Sequence, residues 1–327
     1  MPRQPVEYQH LLTGPRARAW KPPVALLLAL SAWAAGMVFT ALSLVVYGLA
    51  TGAPLSQQAA GDLDLADPFV FGVGNVVIAA LIPTATLSIW AVHRVRPGYV
   101  SSVVGRLRWR WLLSCAALLV PIWVPYVLLS TWLGGGTLTL QPEPKWALLL
   151  PIVLLTTPLQ SAGEEYLFRG WVMQNLGVWI RRPGAALVVS ALVSAVLFAL
   201  AHGSADPWIL LDLCVFAAAA VLLTWRTGGL EAAVAMHAVN NVVGLLVTIG
   251  AGGFADAFIT GASSGSPWQV LQSAVVEGLA VVLLLSQARR RGIDRRYRPA
   301  ADPLPPTDAA LPAPGLPGMP GFSPRGT

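Results

Sequence analysis

Charge is what this sequence has least of. Asp, Glu, Lys and Arg together make up 11% of its 327 residues, whereas a soluble domain carries about 25%. A chain so poor in charge cannot cover a water-facing surface. Lysine is nearly missing, with Lys21 and Lys145 the only two. Cysteine is equally scarce. Cys115 and Cys214 are too few for a disulfide framework and lack the spacing of a metal site. Both fall inside apolar runs, where a buried thiol is inert. No HExxH pattern is present to suggest a zinc hydrolase. What is abundant is apolar: 55% of residues are hydrophobic and the mean hydropathy is +0.65.

The apolar residues come in runs of about 20, the length that spans a hydrocarbon core of roughly 30 Å as a helix. Eight such runs are evident: Pro22 to Leu49, Phe69 to Val92, Trp111 to Leu133, one starting near Trp146, Ala185 to Ala201, Trp208 to Trp225, Leu230 to Ile249 and Trp268 to Leu285. The first exceeds the ~7–15 apolar residues of a signal peptide. The expected fold is therefore all-α, a polytopic membrane bundle of about eight helices occupying residues 22–298. Residues 1–21 precede it as a cytoplasmic segment. Residues 299–327 form a Pro-, Ala- and Gly-rich tail with little to bury, read as disordered.

The connections test this count, because basic residues accumulate on the cytoplasmic side. The N-terminal segment carries Arg3, Arg16, Arg18 and Lys21, and the next connection Asp62, Asp64 and Asp67. Arg94, Arg96, Arg106, Arg108 and Arg110 follow, then a nearly neutral loop with Glu143 and Lys145. Arg181 and Arg182 alternate with Asp206, Arg226 with Asp256, and six arginines from Arg289 to Arg298 end the series. The alternation puts both termini in the cytoplasm of what reads as a bacterial plasma membrane. It also explains the net charge of +6 without nucleic acid.

Polar groups are expensive inside a bilayer and mark functional positions. Glu164 and Glu165 end an apolar run, and Arg169 lies four residues beyond Glu165, on one helix face suited to a salt bridge. Glu164 points about 100° away and is free for another partner. A semi-buried carboxylate of this kind can serve as a general base. His202 ends the next span, one turn after Phe198. His237 and Asn241 share a face of a later span, and both can donate hydrogen bonds. Brought together, Glu164 takes a proton from water, His202 orients that water or shares the proton, and His237 and Asn241 donate to the developing oxyanion. The competing reading of the first segment is a cytoplasmic interfacial helix with ordinary surface charges. A zinc site is disfavoured by Asn241, a weak ligand. Neither metal nor cofactor is called for. Asn75, Asp212 and Glu277 are read as structurally paired, with Asp212 also able to assist the site.

A simple hairpin places Glu164 and His202 on opposite sides of the membrane, some 20 Å apart at ~1.5 Å per residue. Reconciling them calls for a broken or re-entrant segment near Glu164, for which Pro158 and Gly163 are the candidate breaks.

Three motifs in order, EEYLFR (Glu164 to Arg169), FALAH (Phe198 to His202) and HAVNN (His237 to Asn241), resemble the CAAX-prenyl-protease-like family of intramembrane glutamic endopeptidases, also called the CPBP or Abi family. The resemblance covers roughly Trp146 to Ile249. One departure is FAAA, Phe216 to Ala219, where members often carry phenylalanine, two residues and glycine. The resemblance implies metal-independent peptide hydrolysis of a membrane protein or lipidated peptide. In it Glu164 and His202 activate water, His237 and Asn241 stabilise the oxyanion, and Glu165, Arg169 and Phe198 give support. A non-enzymatic scaffold or bacteriocin-immunity factor and a small-solute transporter are the rival functions.

Overall fold

The structure is a computed structural model that describes residues 1–52, 64–133 and 139–299. Asp62 and nearly all of the Pro-rich tail lie outside the described residues. Among the described residues eight helices are long and apolar enough to cross a membrane, so the chain is an integral membrane protein with an all-α bundle. Its helices are α1 (Lys21–Thr51), α2 (Pro68–Ala79), α3 (Leu81–His93), α4 (Trp109–Leu133), α5 (Trp146–Glu165), α6 (Met173–Trp179), α7 (Pro183–Ala201), α8 (Pro207–Thr227), α9 (Glu231–Ala251) and α10 (Pro267–Arg290).

Two spans are composite. α2 and α3 form one 26-residue crossing that bends at Ala80. Pro83 supplies the cause, since it has no N–H for the carbonyl of Ala79 and its ring crowds that turn. α5 continues through a π-helical stretch, Tyr166–Val172, into α6, giving a 34-residue crossing from Trp146 to Trp179. The irregularity expected near the first motif is thus a widened helical turn. It is not a break at Pro158 or Gly163, both of which lie within α5.

Helix ends follow local chemistry. Asp67 and Asp206 cap α2 and α8, each carboxylate accepting from the backbone N–H groups two and three residues on. Asp67 also binds Lys145 at 2.8 Å, which joins the starts of two spans. Asn75 donates to Thr156 and Thr157 at 2.8 and 3.2 Å, so α2 grips α5 through a structural amide.

Burial ranks the spans. Over half of the most apolar stretch of α9 is buried inside the protein (56%), against 11% for α1. α9 is therefore the axis of the bundle, packed against α4, α5 and α8, while α1 presents most of its surface outward and rests on α2 and α3. The core around α9 is built from Trp123, Phe198, Phe216, Ala233, Met236 and Leu223 among others.

The terminal segments close one end of the bundle. Val6–Glu7 (β1) pairs antiparallel with Arg296–Tyr297 (β2), which puts these two segments at the same end of the bundle. Tyr8, Gln9, Leu11 and Leu12 are buried beyond that pair. The Tyr8 hydroxyl donates to the Val100 carbonyl and His10 donates to that of Ile180. Gly177 permits this docking, since a Cβ there would lie 1.8 Å from the Gln9 carbonyl oxygen.

Candidate active site

The polar residues of three motifs meet around one imidazole. His237 sits six residues into α9, 4% exposed. Its Nδ1 lies 2.8 Å from Glu165 Oε1 and its Nε2 lies 3.6 Å from Glu164 Oε2. The adjacent glutamates thus approach opposite sides of the same ring. Adjacent helical residues diverge by about 100°, so one ring placed between them can face both.

Glu165 is the fixed member. Its Oε1 also accepts from Arg169 Nη1 at 2.9 Å, with both side chains fully buried. The expected Glu165–Arg169 pair is therefore present. The Arg169 guanidinium lies 4.3 Å from the centre of the Phe198 ring and 5.7 Å from that of Phe216, where the negative ring faces attract a cation. The π-helical turn begins directly after Glu165, and Arg169 lies inside it. Such single-turn π segments within α-helices are frequent at functional sites.

Glu164 is held differently. Its Oε1 accepts from Gln160 Nε2 at 2.6 Å, while its buried Oε2 has no hydrogen-bond partner. An ionised carboxylate and an unprotonated ring nitrogen are both acceptors. With the Nδ1 proton donated to Glu165, His237 Nε2 is an acceptor unless the ring is doubly protonated. The space between Glu164 Oε2 and His237 Nε2 therefore selects a donor, either a shared proton or a water directing its hydrogens at them.

Asn241 lies one turn beyond His237. Its Nδ2 makes long contacts to Ser161 Oγ (3.3 Å) and Gln160 Oε1 (3.4 Å). Its Oδ1 accepts from Asn240. Asn240 in turn accepts from Trp123 Nε1 at 2.9 Å and packs α9 on α4. Gln160 thus touches both Glu164 and Asn241. The sequence reading passed over it, although its position one turn before Glu164 was a usable signal.

His202 follows the last residue of α7. Its Nδ1 donates to the Phe198 carbonyl at 2.8 Å, one turn back. That bond closes the helix end and leaves Nε2 as the free acceptor nitrogen. Phe198 is shared: its ring centre lies 4.8 Å from that of His202 and 5.8 Å from that of His237. The two imidazoles therefore flank one phenyl ring, and Glu164 and His202 are not on opposite membrane faces. The length of the fourth crossing is the reason. It continues to Trp179 before the chain turns, so Glu164 lies about 22 Å from that turn and His202 about 28 Å along the returning helix, at ~1.5 Å per residue.

Phe216 completes the wall. It stacks on Phe198 at 5.6 Å and lies 4.9 Å from His237. In the sequence it registered only as the start of a variant motif. Asp212 pairs with Ser273 of α10. Glu277 is buried with Oε2 lacking a hydrogen bond, and the charge that faces it is the Arg169 guanidinium. No three His, Cys, Asp or Glu side chains converge as metal ligands among the described residues.

Comparison with known proteins bears on this geometry. Neither the curated proteins nor the solved structures contain a match to the chain. Residues 145–243 match the family described as type II CAAX prenyl endopeptidase Rce1-like. That stretch runs from the residue before α5 into α9 and includes Glu164, Glu165, Arg169, Phe198, His202, His237 and Asn241. Residues 145–243 of this membrane protein are an Rce1-like domain of the CAAX-protease (CPBP) family.

Proposed function

We propose that the chain is an intramembrane endopeptidase that hydrolyses a peptide bond of a membrane-associated or lipidated protein, using water activated by Glu164 and no metal ion. The observation that carries this reading is the unpartnered Oε2 of Glu164 facing His237 Nε2 across 3.6 Å. Glu164 accepts one proton from water as the oxygen attacks the carbonyl carbon. The C–O bond forms and the carbonyl π electrons move to oxygen. His202 offers its free Nε2 to the water, and Asn241 Nδ2, held only by long contacts, donates to the oxyanion. His237 joins as a donor from Nε2 in its doubly protonated form. Collapse of the tetrahedral centre breaks the C–N bond, and the proton on Glu164 passes to the leaving amine. Glu165 and Arg169 hold His237 in place, and Gln160 holds Glu164.

The pairing of the terminal strands supports both termini lying on one side. The arginine distribution favours the cytoplasm for that side, and we read the membrane as a bacterial plasma membrane. Purified protein in bilayers, supplied with a membrane-tethered peptide, is expected to cut it. Glu164→Gln is expected to abolish the cut while keeping the unfolding transition of the wild type. Unchanged turnover in that variant removes Glu164 from the mechanism. Comparative proteomics of membranes bearing each form then identifies the substrate from the uncleaved proteins that accumulate.

A further inference from the structure

Away from the candidate active site, the terminus-bearing end of the bundle holds a cavity of about 280 Å³. It lies between the N-terminal segment (Leu11, Gly14, Arg16) and the end of α3 (His93, Arg94). At ~30 Å³ per water molecule it has room for roughly nine waters, enough for a polar headgroup but not for an acyl chain. None of its lining residues is acidic.

The charge around it is all of one sign. Lys21, 8% exposed, has Arg16, Arg18 and Arg94 as its charged neighbours. Among the described residues no salt bridge involves any of these four. Arg18 is turned back onto the carbonyls of Pro15 and Ala17. Lys21 has only the face of Trp20, at 5.9 Å. Four cations gathered without a carboxylate repel one another, and an anion in their midst relieves that repulsion.

His93 adds a second requirement. It is 3% exposed and lines the cavity. Asn175 donates its Nδ2 to the Trp171 carbonyl at 2.9 Å, which fixes its Oδ1 toward His93 Nε2 at 3.0 Å. His93 Nε2 therefore carries the ring hydrogen. Nδ1 is a bare acceptor, buried and without a partner. The cavity thus calls for an anion together with a hydrogen-bond donor. Its surroundings supply the source. Trp20 is 58% and Trp90 49% exposed, and aromatics of this kind sit at headgroup depth. α1 rises from Lys21 with an outward apolar surface.

We propose that this cavity binds the headgroup of an anionic, hydroxyl-bearing glycerophospholipid such as phosphatidylglycerol. The phosphate sits between Arg16 and Arg94, which line the cavity, with the Lys21 charge close by, and a headgroup hydroxyl donates to His93 Nδ1. Basic pockets at the cytoplasmic ends of membrane helices bind anionic headgroups in this way. The bound lipid fastens the N-terminal segment to α3.

The test uses full-length protein in nanodiscs of phosphatidylcholine alone or with added phosphatidylglycerol or phosphatidic acid. The variant is Arg16→Gln/Arg94→Asn. Both arginines are exposed, and asparagine tolerates the φ of 59° at position 94. Native mass spectrometry is expected to find phosphatidylglycerol retained by the wild type at least tenfold more than by the variant. It is also expected to find phosphatidylglycerol retained in preference to phosphatidic acid, which lacks the headgroup hydroxyl, with His93→Phe losing that preference. Thermal unfolding of the wild type is expected to rise with phosphatidylglycerol and not with soluble glycerol phosphate or inorganic phosphate. Equal retention by the charge variant overturns the site. Equal protection by a soluble phosphate overturns the lipid as its occupant. Indifference between the two anionic lipids overturns the role given to His93.

Discussion

Removing Glu165 strands a buried cation, and the cost can be worked from the contacts. The Arg169 guanidinium is fully buried, and among its nitrogens Nε and Nη2 have no hydrogen-bond partner. Nη1, at 2.9 Å from Glu165 Oε1, makes its one bond to a carboxylate. In Glu165→Ala that bond disappears, and the guanidinium keeps the faces of Phe198 and Phe216 and the charges of Glu164 and Glu277, none of which gives it a hydrogen bond. His237 Nδ1 loses its acceptor as well. Breaking a buried ion pair by deleting one partner costs about 3–5 kcal/mol, because a charge is left without compensation. Deleting both members costs far less, since an apolar side chain of similar length needs no partner. Glu165→Ala/Arg169→Met is therefore expected to recover at least about 2 kcal/mol of that loss, a coupling within the range seen for contacting pairs. The assay is reversible unfolding of purified protein in mixed micelles, followed by helical circular dichroism, over the full double-mutant cycle. Glu164→Gln serves as the reference, because it leaves the Arg169–Glu165–His237 chain intact. The reasoning fails if Glu165→Ala unfolds within about 0.5 kcal/mol of the wild type, or if the two single losses simply add in the double variant.

The remaining predictions concern neighbouring positions. A Cβ at Gly163 would lie 2.2 Å from the Ile78 carbonyl oxygen, so Gly163→Ala must push α2 and α3 off α5. It is expected to cost ~1–3 kcal/mol and to lower activity, whereas Gly244→Ala, with nothing within 4 Å, is expected to be neutral or slightly stabilising. Gln160→Ala removes the 2.6 Å bond to Glu164. A hydrogen bond to a charged group contributes ~1.5–3 kcal/mol, so kcat is expected to fall about tenfold or more with KM nearly unchanged. Burial pushes the Glu7 carboxyl upward, but hydrogen bonds from Trp225 and Gln9 and the charge of Arg295 outweigh it and hold it below the usual carboxylate range. A depressed folded value means that this stabilisation is complete above the unfolded carboxylate range and lost as the pH falls through the folded value. Hydrogen-exchange protection at Val6 and Arg296, taken relative to the intrinsic rate at each pH, is expected to fall on acidification below about pH 4.5, and Glu7→Gln is expected to remove that step.

The fold was legible because each crossing carries its signal locally. Eight apolar runs, punctuated by prolines, aspartates and glycines, mark the helices to within a few residues, and alternating arginines order their connections. The helical irregularity beside Glu164 was the exception. Pro158 and Gly163 look like breaks in a sequence, yet Pro158 is accommodated inside α5 and Gly163 is where the bend between α2 and α3 presses against it. A glycine required for a close approach and a glycine that ends a helix have the same letter. Only the partner helix distinguishes them.

The site was legible to a different depth. The i, i+4 spacing of Glu165 and Arg169 announces their pairing, since that bond lies within one helix. The ring that Glu164 Oε2 faces lies 73 positions along the chain, on α9, and no local spacing encodes it. The His237 ring shows why two adjacent glutamates belong here: one accepts from Nδ1 and the other faces Nε2. A single carboxylate placed against His237 would be drawn to Arg169 and neutralised. With Glu165 already committed to the guanidinium and to Nδ1, the Oε2 of Glu164 remains without a partner in a buried setting. Duplicating the acid separates the carboxylate committed to the guanidinium from one left unpaired, which is the division that the proposed hydrolysis by activated water requires.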